Sequence, residues 1–369
     1  MKNSIGNNFR ITIFGESHQE AIGVVIDGLA AGISLDFDLI NRMMSQRKAK
    51  GKISTQRHEA DEVHLISGFF NGYTTGTPLT ILIQNSAQHS KDYSQLKTRL
   101  RPGHADYTAY EKYEGYQDYR GGGHFSGRIT APLVCAGAIA MQILNQKGIK
   151  IGSHIKQLHH LEDLSFSKDE ALLNKQIDMV NQMDFAVLDE DKKEAMTSFI
   201  EACAKQKDSC GGILETAIIN LPTGLGEPFF DSIESKLAHL LFSVPAVKGV
   251  SFGLGFDFSK HYGSEVNDSL YYDEETQQVK TKTNCNGGIN GGISNGMPIK
   301  IHTVIKPTPS IYKKQASIDA STHEAVELEI QGRHDPAIIH RARIVIDSVV
   351  AIGLLDLYLE RQATLSMKE

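Results

Sequence analysis

The sequence predicts an α+β protein built in layers, and three observations carry that prediction. Segments with strand alternation and segments with helical spacing follow one another in no strict β-α-β order, which disfavours a doubly wound parallel sheet. Near the N-terminus, two apolar runs are separated by a short polar turn, the mark of a hairpin. Two long apolar faces, 129–143 and 345–355, repeat at helical intervals.

Residues 10–14 alternate as a strand and run into Gly15-Glu16-Ser17-His18. Residues 22–26 are apolar enough for a buried strand ending at Asp27-Gly28, so His18 falls near a hairpin turn. Residues 35–44 have helical spacing, with Asp36 or Asp38 near the start. Strands are expected over 62–69 and 78–84, joined by a turn-rich 71–76. A helix is expected over 126–146, with Ile129, Leu133, Ala136, Ala140 and Ile143 on one face and Gly148 as its stop. Strand 151–157, helix 191–205, strand 214–221, helix 232–242 and strand 247–253 follow. In strand 298–306, Ile299, Ile301, Thr303 and Ile305 share one face. The last helix spans about 338–362, apolar along Val345, Val349, Ile352 and Leu355. The polar stretch 260–282 reads as an excursion, not a domain boundary.

At 369 residues the chain can bury a substantial core, and its 40% hydrophobic and 22% charged content is that of an ordinary globular protein. A net charge of −6 argues against nucleic acid as a general partner. Cys135, Cys203, Cys210 and Cys285 have no C-x-x-C spacing, so neither a disulfide framework nor a zinc site is expected. No secretory signal is visible, and the apolar patches at 131–144 and 349–359 fall short of the roughly 20 residues a membrane span needs. The expected location is the cytoplasm, with no membrane partner.

Chemistry concentrates in a few places. The stretch 101–128, RPGHADYTAYEKYEGYQDYRGGGHFSGR, holds His104 after a Pro-Gly turn and a triple glycine flanked by Arg120 and Arg128. Three glycines suit a loop pressed against a ligand, since each loses more backbone entropy on ordering than other residues. Such a loop followed by a helix can bind anions, and the arginines match phosphate or carboxylate geometry. The segment 42–57 carries six bases and no acid, which suits a flap over a multiply charged small ligand. Arg10 with Gly15-Glu16-Ser17-His18, and Gly332-Arg333-His334-Asp335-Pro336, complete the set. Taken alone, His18 could be a satisfied turn histidine and Asp335 a helix N-cap.

Together these segments resemble the signature regions of the chorismate synthase family. GESH, TTGTP at 74–78, KDYSQLK at 91–97, RPGHADYT, YRGGG, AGAIA at 136–140 and GLGEP at 224–228 occur in the family's order. AVKGV at 246–250, GGINGGISNG at 287–296, KPTPS at 306–310 and GRHDP follow, so the resemblance covers almost the whole chain. Four places depart from it: Gln19 for a usual glycine, His124-Phe125-Ser126-Gly127 for Arg-Ser-Ser-Ala, Lys52 for an arginine and Asp347 for a glutamate.

The resemblance implies one domain over 1–369, a layered β-α-β sandwich with helices packed between antiparallel or mixed sheets. It implies a lyase that eliminates phosphate from 5-enolpyruvylshikimate-3-phosphate to give chorismate, using reduced FMN, with NADPH as a flavin reductant in some members, and a homotetramer. Carried over residue by residue, His104 would protonate or hydrogen-bond the departing phosphate. His18 would protonate or stabilise the reduced flavin, and Asp335 would accept a proton. Flavin contacts would come from His124, Phe125, Ser126, Pro245, Ala246, Gly291, Lys306, Pro307, Thr308, Pro309, Ser310 and Arg333. Arg47 with Lys52 matches a position linked to NADPH, and Arg57, Arg101 and Arg128 supply further cations for the substrate. Burying so many arginines without a ligand is costly, which predicts an open site that closes on binding. A flavin reductase passing hydride from NADPH, or a polyanion-docking protein using the basic loop, are the competing readings.

Overall fold

The structure, a computed structural model, describes residues 2–51, 53–54, 61–85, 97–330 and 334–368. The N-terminal part contributes β1 (Ser4–Ile5), β2 (Arg10–Gly15), β3 (Ala21–Asp27), α1 (Phe37–Arg47) and β4 (Val63–Ser67). A small hairpin of β5 (Phe69–Phe70) and β6 (Tyr73–Thr74) leads to β7 (Leu79–Gln84). The sheet order is β1-β2-β3-β7-β4, antiparallel throughout. The expected hairpin is β2–β3, pairing Arg10 with Asp27 and Gly15 with Ile22, and its turn holds His18. Asp36 caps α1 by accepting from Leu39 N–H at 2.9 Å.

After α2 (Asp106–Lys112) and α3 (Thr130–Gln146) come β8 (Lys150–Leu158), β9 (Leu161–Glu162), α4 (Glu170–Val180), α5 (Glu190–Lys205) and β10 (Gly212–Ile219). Then follow α6 (Ile233–Ser243), β11 (Val247–Phe252), α7 (Gly263–Val266), the hairpins β12 (Leu270–Asp273)/β13 (Gln278–Thr281) and β14 (Ile289–Asn290)/β15 (Ile293–Ser294), and β16 (Ile299–Ile305). The chain closes with β17 (Gln315–Ile318), β18 (Ala325–Leu328) and the 27-residue α8 (Ile339–Leu365). The second sheet, also antiparallel, runs β11-β16-β10-β8-β9. On β16 the expected face is buried: Ile299, Ile301, Thr303 and Ile305 are each 1% exposed or less.

Helix α3 packs on β2, β3 and β7, helix α8 on β8 and β10, and the two helices on one another. All of α3 except Ile143, Asn145 and Gln146 is buried, which is why its sequence lacks a polar face. The helices approach so closely that a Cβ on Gly137 would lie 2.2 Å from Ser348 Cβ. Gly148, with φ 78°, ends α3 as expected and lets Ile149 N–H reach Leu144 O at 3.1 Å. With its preceding 3₁₀ turn, the segment Gly127–Gln146 is 20 residues long and apolar enough to cross a membrane, longer than the patch read from sequence. It lies almost wholly inside the protein, which accounts for that composition.

Candidate active site

The β2–β3 turn and the triple glycine are built as one unit. Gly121, Gly122 and Gly123 have φ of 57°, 84° and 53°, all on the left-handed side where side chains are disfavoured. Ser17 N–H donates to Gly123 O at 3.2 Å, and Ser17 Oγ donates to Arg120 O at 3.2 Å. His18 is buried, its Nδ1 3.1 Å from Ser17 Oγ. A Cβ on Gly121 would come within 2.1 Å of His18 Cε1, and one on Gly122 within 3.3 Å of His104 Cε1. The triple glycine is therefore a thin wall with His18 packed at one residue and His104 at the next. The helix expected to begin directly after it is delayed: a 3₁₀ turn, Gly127–Ile129, intervenes, with Ser126 Oγ accepting from Arg128 N–H at 3.3 Å. His124 ties this loop to the turn, donating from Nδ1 to Gly15 O at 2.9 Å. Phe125 is partly exposed between the rings of Tyr113 and His124.

Three of the expected cations are buried and already paired. Arg47, Arg101 and Arg128 are 4%, 6% and 5% exposed, so the open site expected from sequence is replaced by arginines matched to carboxylates. Asp61, in a left-handed conformation with φ 52°, accepts from Arg47 Nη2 at 2.7 Å and from Arg128 Nη1. Burial pushes the Asp61 carboxyl up, but Arg47 and Arg128 outweigh it and hold the pKa below its usual value. Arg128 Nε donates to Asn85 Oδ1 at 3.0 Å, and Asn85 Nδ2 donates to the carbonyls of Glu16 and Gln19, so this cluster braces the His18 turn. On its other side Arg341 Nε donates to Arg47 O at 2.9 Å while its Nη1 reaches Asp335 Oδ2 at 2.5 Å. Asp335 is thus an ion-pair partner; it is not the N-cap of α8, which starts at Ile339. Arg101 grips Asp106 through Nε and Nη2, each at 2.7 Å.

The C-terminal candidates meet the same region. Lys306 N–H donates to Ala246 O at 2.9 Å, which brings Pro245 and Ala246 beside Lys306, Pro307, Thr308, Pro309 and Ser310. Lys306 Nζ donates to Gly103 O at 2.6 Å, joining them to the His104 loop. Gly291 is not brought there: its hairpin β14–β15 is held by Leu225 and Ile233, whereas Lys306 leaves the far end of β16. The candidates Lys52, Arg57 and Arg333 lie outside the described residues. The four cysteines are free thiols, and no cluster able to hold a metal occurs among the described residues.

Sequence reasoning missed Asp61, Asn85, Asp106 and Arg341. Asp106 was visible two residues after His104, but nothing in the spacing said that it faces that ring. Asp61 and Arg341 lie in different segments and acquire meaning only through the fold. His340 was also unassigned: buried, stacked on Phe185 and 2.8 Å from Ser54 Oγ, it is held neutral because burial, aided by Arg341, lowers its pKa to about 3.

Comparison with known proteins points to a single family. The family model described as chorismate synthase matches residues 9–359. The chain is 43% identical to the chorismate synthase of Dehalococcoides mccartyi, covering 97% of both chains. It is 43% identical to that of Pyrococcus abyssi, covering 97% of this chain and 98% of the relative, and 44% identical to that of Methanobrevibacter smithii, covering 96% of each. A crystal structure of a chorismate synthase superposes with a TM-score of 0.75 at 26% identity, over 97% of this chain and 93% of that one. With the family model matched over residues 9–359 and relatives matched nearly end to end, the chain belongs to the chorismate synthase family, lyases of the shikimate pathway.

Proposed function

We propose that this chain catalyses the 1,4-anti elimination of phosphate from 5-enolpyruvylshikimate-3-phosphate, giving chorismate, with reduced FMN as cofactor. The observation that carries the reading is the placement of His18 and His104 against adjacent glycines, Gly121 and Gly122. In the reaction a C–O bond breaks with its electron pair leaving on phosphate, a ring C–H is lost, and a new double bond forms. His104 gives a proton or a hydrogen bond to the departing phosphate. Asp335 accepts a proton, and His18 supplies positive charge beside the cofactor. Arg47, Arg101 and Arg128, with Arg57 from outside the described residues, would hold the substrate's carboxylates and phosphate.

The described residues fit a flavin. Thr308 Oγ1 is buried with no hydrogen-bond partner among the described residues, an orphan that a ligand's polar edge would satisfy. Thr308 with Lys306, Pro307, Pro309, Ser310, Pro245 and Ala246 would hold the cofactor, joined by His124, Phe125 and Ser126, and by Arg333 from outside the described residues. The chemistry expected of bound reduced FMN is transient donation of electron density, regained as hydrogen leaves the ring. Arg47 and Lys52 would contact NADPH where it serves as flavin reductant. The same reading makes the enzyme a cytoplasmic homotetramer with no nucleic-acid or membrane partner. It also makes 1–369 one domain with its helices layered between the sheets, an arrangement supported by the packing of α3 and α8 on different sheets.

The test is anaerobic phosphate release from 5-enolpyruvylshikimate-3-phosphate by purified protein with chemically reduced FMN, oxidised FMN serving as control. Turnover with reduced FMN alone is expected. Folded, flavin-binding protein that turns over with neither would overturn the reading in favour of a flavin reductase.

A further inference from the structure

We propose that Ser209, in the link between α5 and β10, is a positioning residue for the cofactor: its hydroxyl fixes the Thr308 carbonyl and so aims the Thr308 hydroxyl at the ligand. This assignment rests on the reading of residues 306–310 as the segment that holds the flavin. That segment is stiff and poor in donors. Pro307 and Pro309 have fixed φ and no N–H, and Thr308, preceding a proline, is confined to extended backbone. What stays free is the rotation of the Thr308 carbonyl about ψ, which a bond to a neighbouring segment sets.

The link supplies that bond because α5 ends in a Schellman turn. Lys207 has φ 61°, its N–H donates to Ala204 O at 3.0 Å, and Asp208 N–H donates to Cys203 O at 3.1 Å. The chain reverses there and runs along the cofactor segment. Ser209 Oγ donates to Thr308 O at 2.7 Å, Tyr312 N–H donates to Lys207 O at 3.2 Å, and Lys313 Nζ pairs with Asp208 at 2.6 Å. Gly211 lies against Pro307: a Cβ there would be 2.9 Å from Pro307 Cδ and 2.4 Å from Ile305 O. Between them Cys210 N–H donates to Pro336 O at 2.9 Å, so one short link also holds the cofactor segment beside the Asp335-Pro336 turn.

Thr308 Oγ1 is buried without a hydrogen-bond partner among the described residues, although the carbonyl of the same residue is bonded. With the backbone fixed on both sides, the β-branched side chain has few rotamers left, so Oγ1 stays pointed where no described group answers it. A buried hydroxyl left unpaired costs stability in the free protein, and a ligand that supplies the partner recovers that cost. A Ser209 that served stability alone would brace the link against residues 307–313 without affecting what Thr308 binds.

The test is a double-mutant cycle read by binding and by stability. Full-length protein is titrated with oxidised FMN, binding is followed by flavin fluorescence, and thermal unfolding is recorded without flavin, for wild type, Ser209→Ala, Thr308→Val and the double variant. Thr308→Val replaces the unpaired hydroxyl by a methyl group, so it is expected to weaken FMN about 3–10-fold while leaving the flavin-free Tm equal or higher. Ser209→Ala is expected to weaken FMN by a similar factor in the wild-type background. In the Thr308→Val background its effect should shrink to less than about 2-fold, because it passes through Thr308. If Ser209→Ala does not fold, Ser209→Cys, a weak donor of similar size, takes its place in the cycle. A Ser209 variant that lowers Tm but binds FMN as wild type does overturns the proposal and leaves the flavin reading intact, as does an equal loss of affinity in both backgrounds. Wild type that binds no FMN, or FMN affinity that neither Ser209→Ala nor Thr308→Val alters, overturns the cofactor reading of residues 306–310 and the proposal with it.

Discussion

Gly121 sits at φ 57°, and a Cβ there would collide with the His18 ring at 2.1 Å, so Gly121→Ala meets both a strained backbone and a displaced histidine. The expected result is a loss of about 1–3 kcal/mol of stability. Turnover with reduced FMN should drop about 100-fold, because a displacement of the ring by an ångström is enough to spoil the site. Thermal unfolding and anaerobic phosphate release measure the two effects separately. Unchanged kcat in a folded Gly121→Ala protein would mean that His18 need not lie where it does. Asp61 poses the opposite case, a residue invisible as a motif on which two buried arginines depend. Asp61→Asn keeps the shape but leaves Arg47 and Arg128 without their anion, which costs about 3–5 kcal/mol for a buried pair broken on one side. Urea unfolding of the variant checks this; a cost below about 1 kcal/mol would show that solvent or the remaining partners compensate the arginines.

The strands β8 and β10 are joined by more than their ladder. His154 on β8 is fully buried, with Nδ1 3.0 Å from Asp163 and Nε2 2.9 Å from Glu215 on β10. Burial alone would lower the pKa of this ring, but hydrogen bonds and charge from Asp163 and Glu215 outweigh it and raise it. A raised folded-state value means that the stability it contributes is fully present below the unfolded pKa of about 6.5 and is lost as pH rises through the folded one. His154 is therefore expected to remain imidazolium at pH 7 by NMR, and titration at or below its ordinary value would contradict the assignment. Nothing in the order of residues 154, 163 and 215 announced this triad, since it arises from strand pairing and a returning loop. The elements themselves were far more legible, because α1 and β16 have a periodicity that matches their burial, and β3 and α8 are long apolar runs buried in the core. Helix α4 and the hairpin β12–β13 were missed: α4 buries only Leu173, Ile177 and Val180, and the hairpin is mostly exposed. Of the site, the glycines and histidines were readable from their types, whereas the carboxylates that set their geometry were not.

Across the whole molecule, the first strands and the last helix are closed on each other by a single carboxylate. Asp356, on α8 and 1% exposed, accepts from the N–H groups of Asn7, Asn8 and Phe9 at 2.9, 2.7 and 2.9 Å, and from Lys236 Nζ of α6 at 2.7 Å. Removing that acceptor orphans three backbone donors and a buried ammonium at once, so Asp356→Ala should cost about 3–5 kcal/mol, as for a broken buried ion pair. Because α8 packs on α3, α6, β8 and β10, the loss should appear as reduced global stability, with both sheets unfolding together. The pH dependence has a definite sign. Burial raises the Asp356 pKa, but Lys236 and the backbone N–H groups of Phe9 and Asn8 outweigh it and lower it. A depressed folded-state value gives stability that is present above the unfolded pKa of about 3.9 and is lost as pH falls through the folded one. Asp61 and Asp106 are lowered in the same direction, so they share this acid limb. Asp356→Asn should therefore be less stable than wild type at pH 7 and should lose less further stability between about pH 5 and pH 2. Urea midpoints measured across that interval decide the matter: parallel curves for the two proteins would mean that the N-terminal segment is held by its apolar contacts and not by this charge.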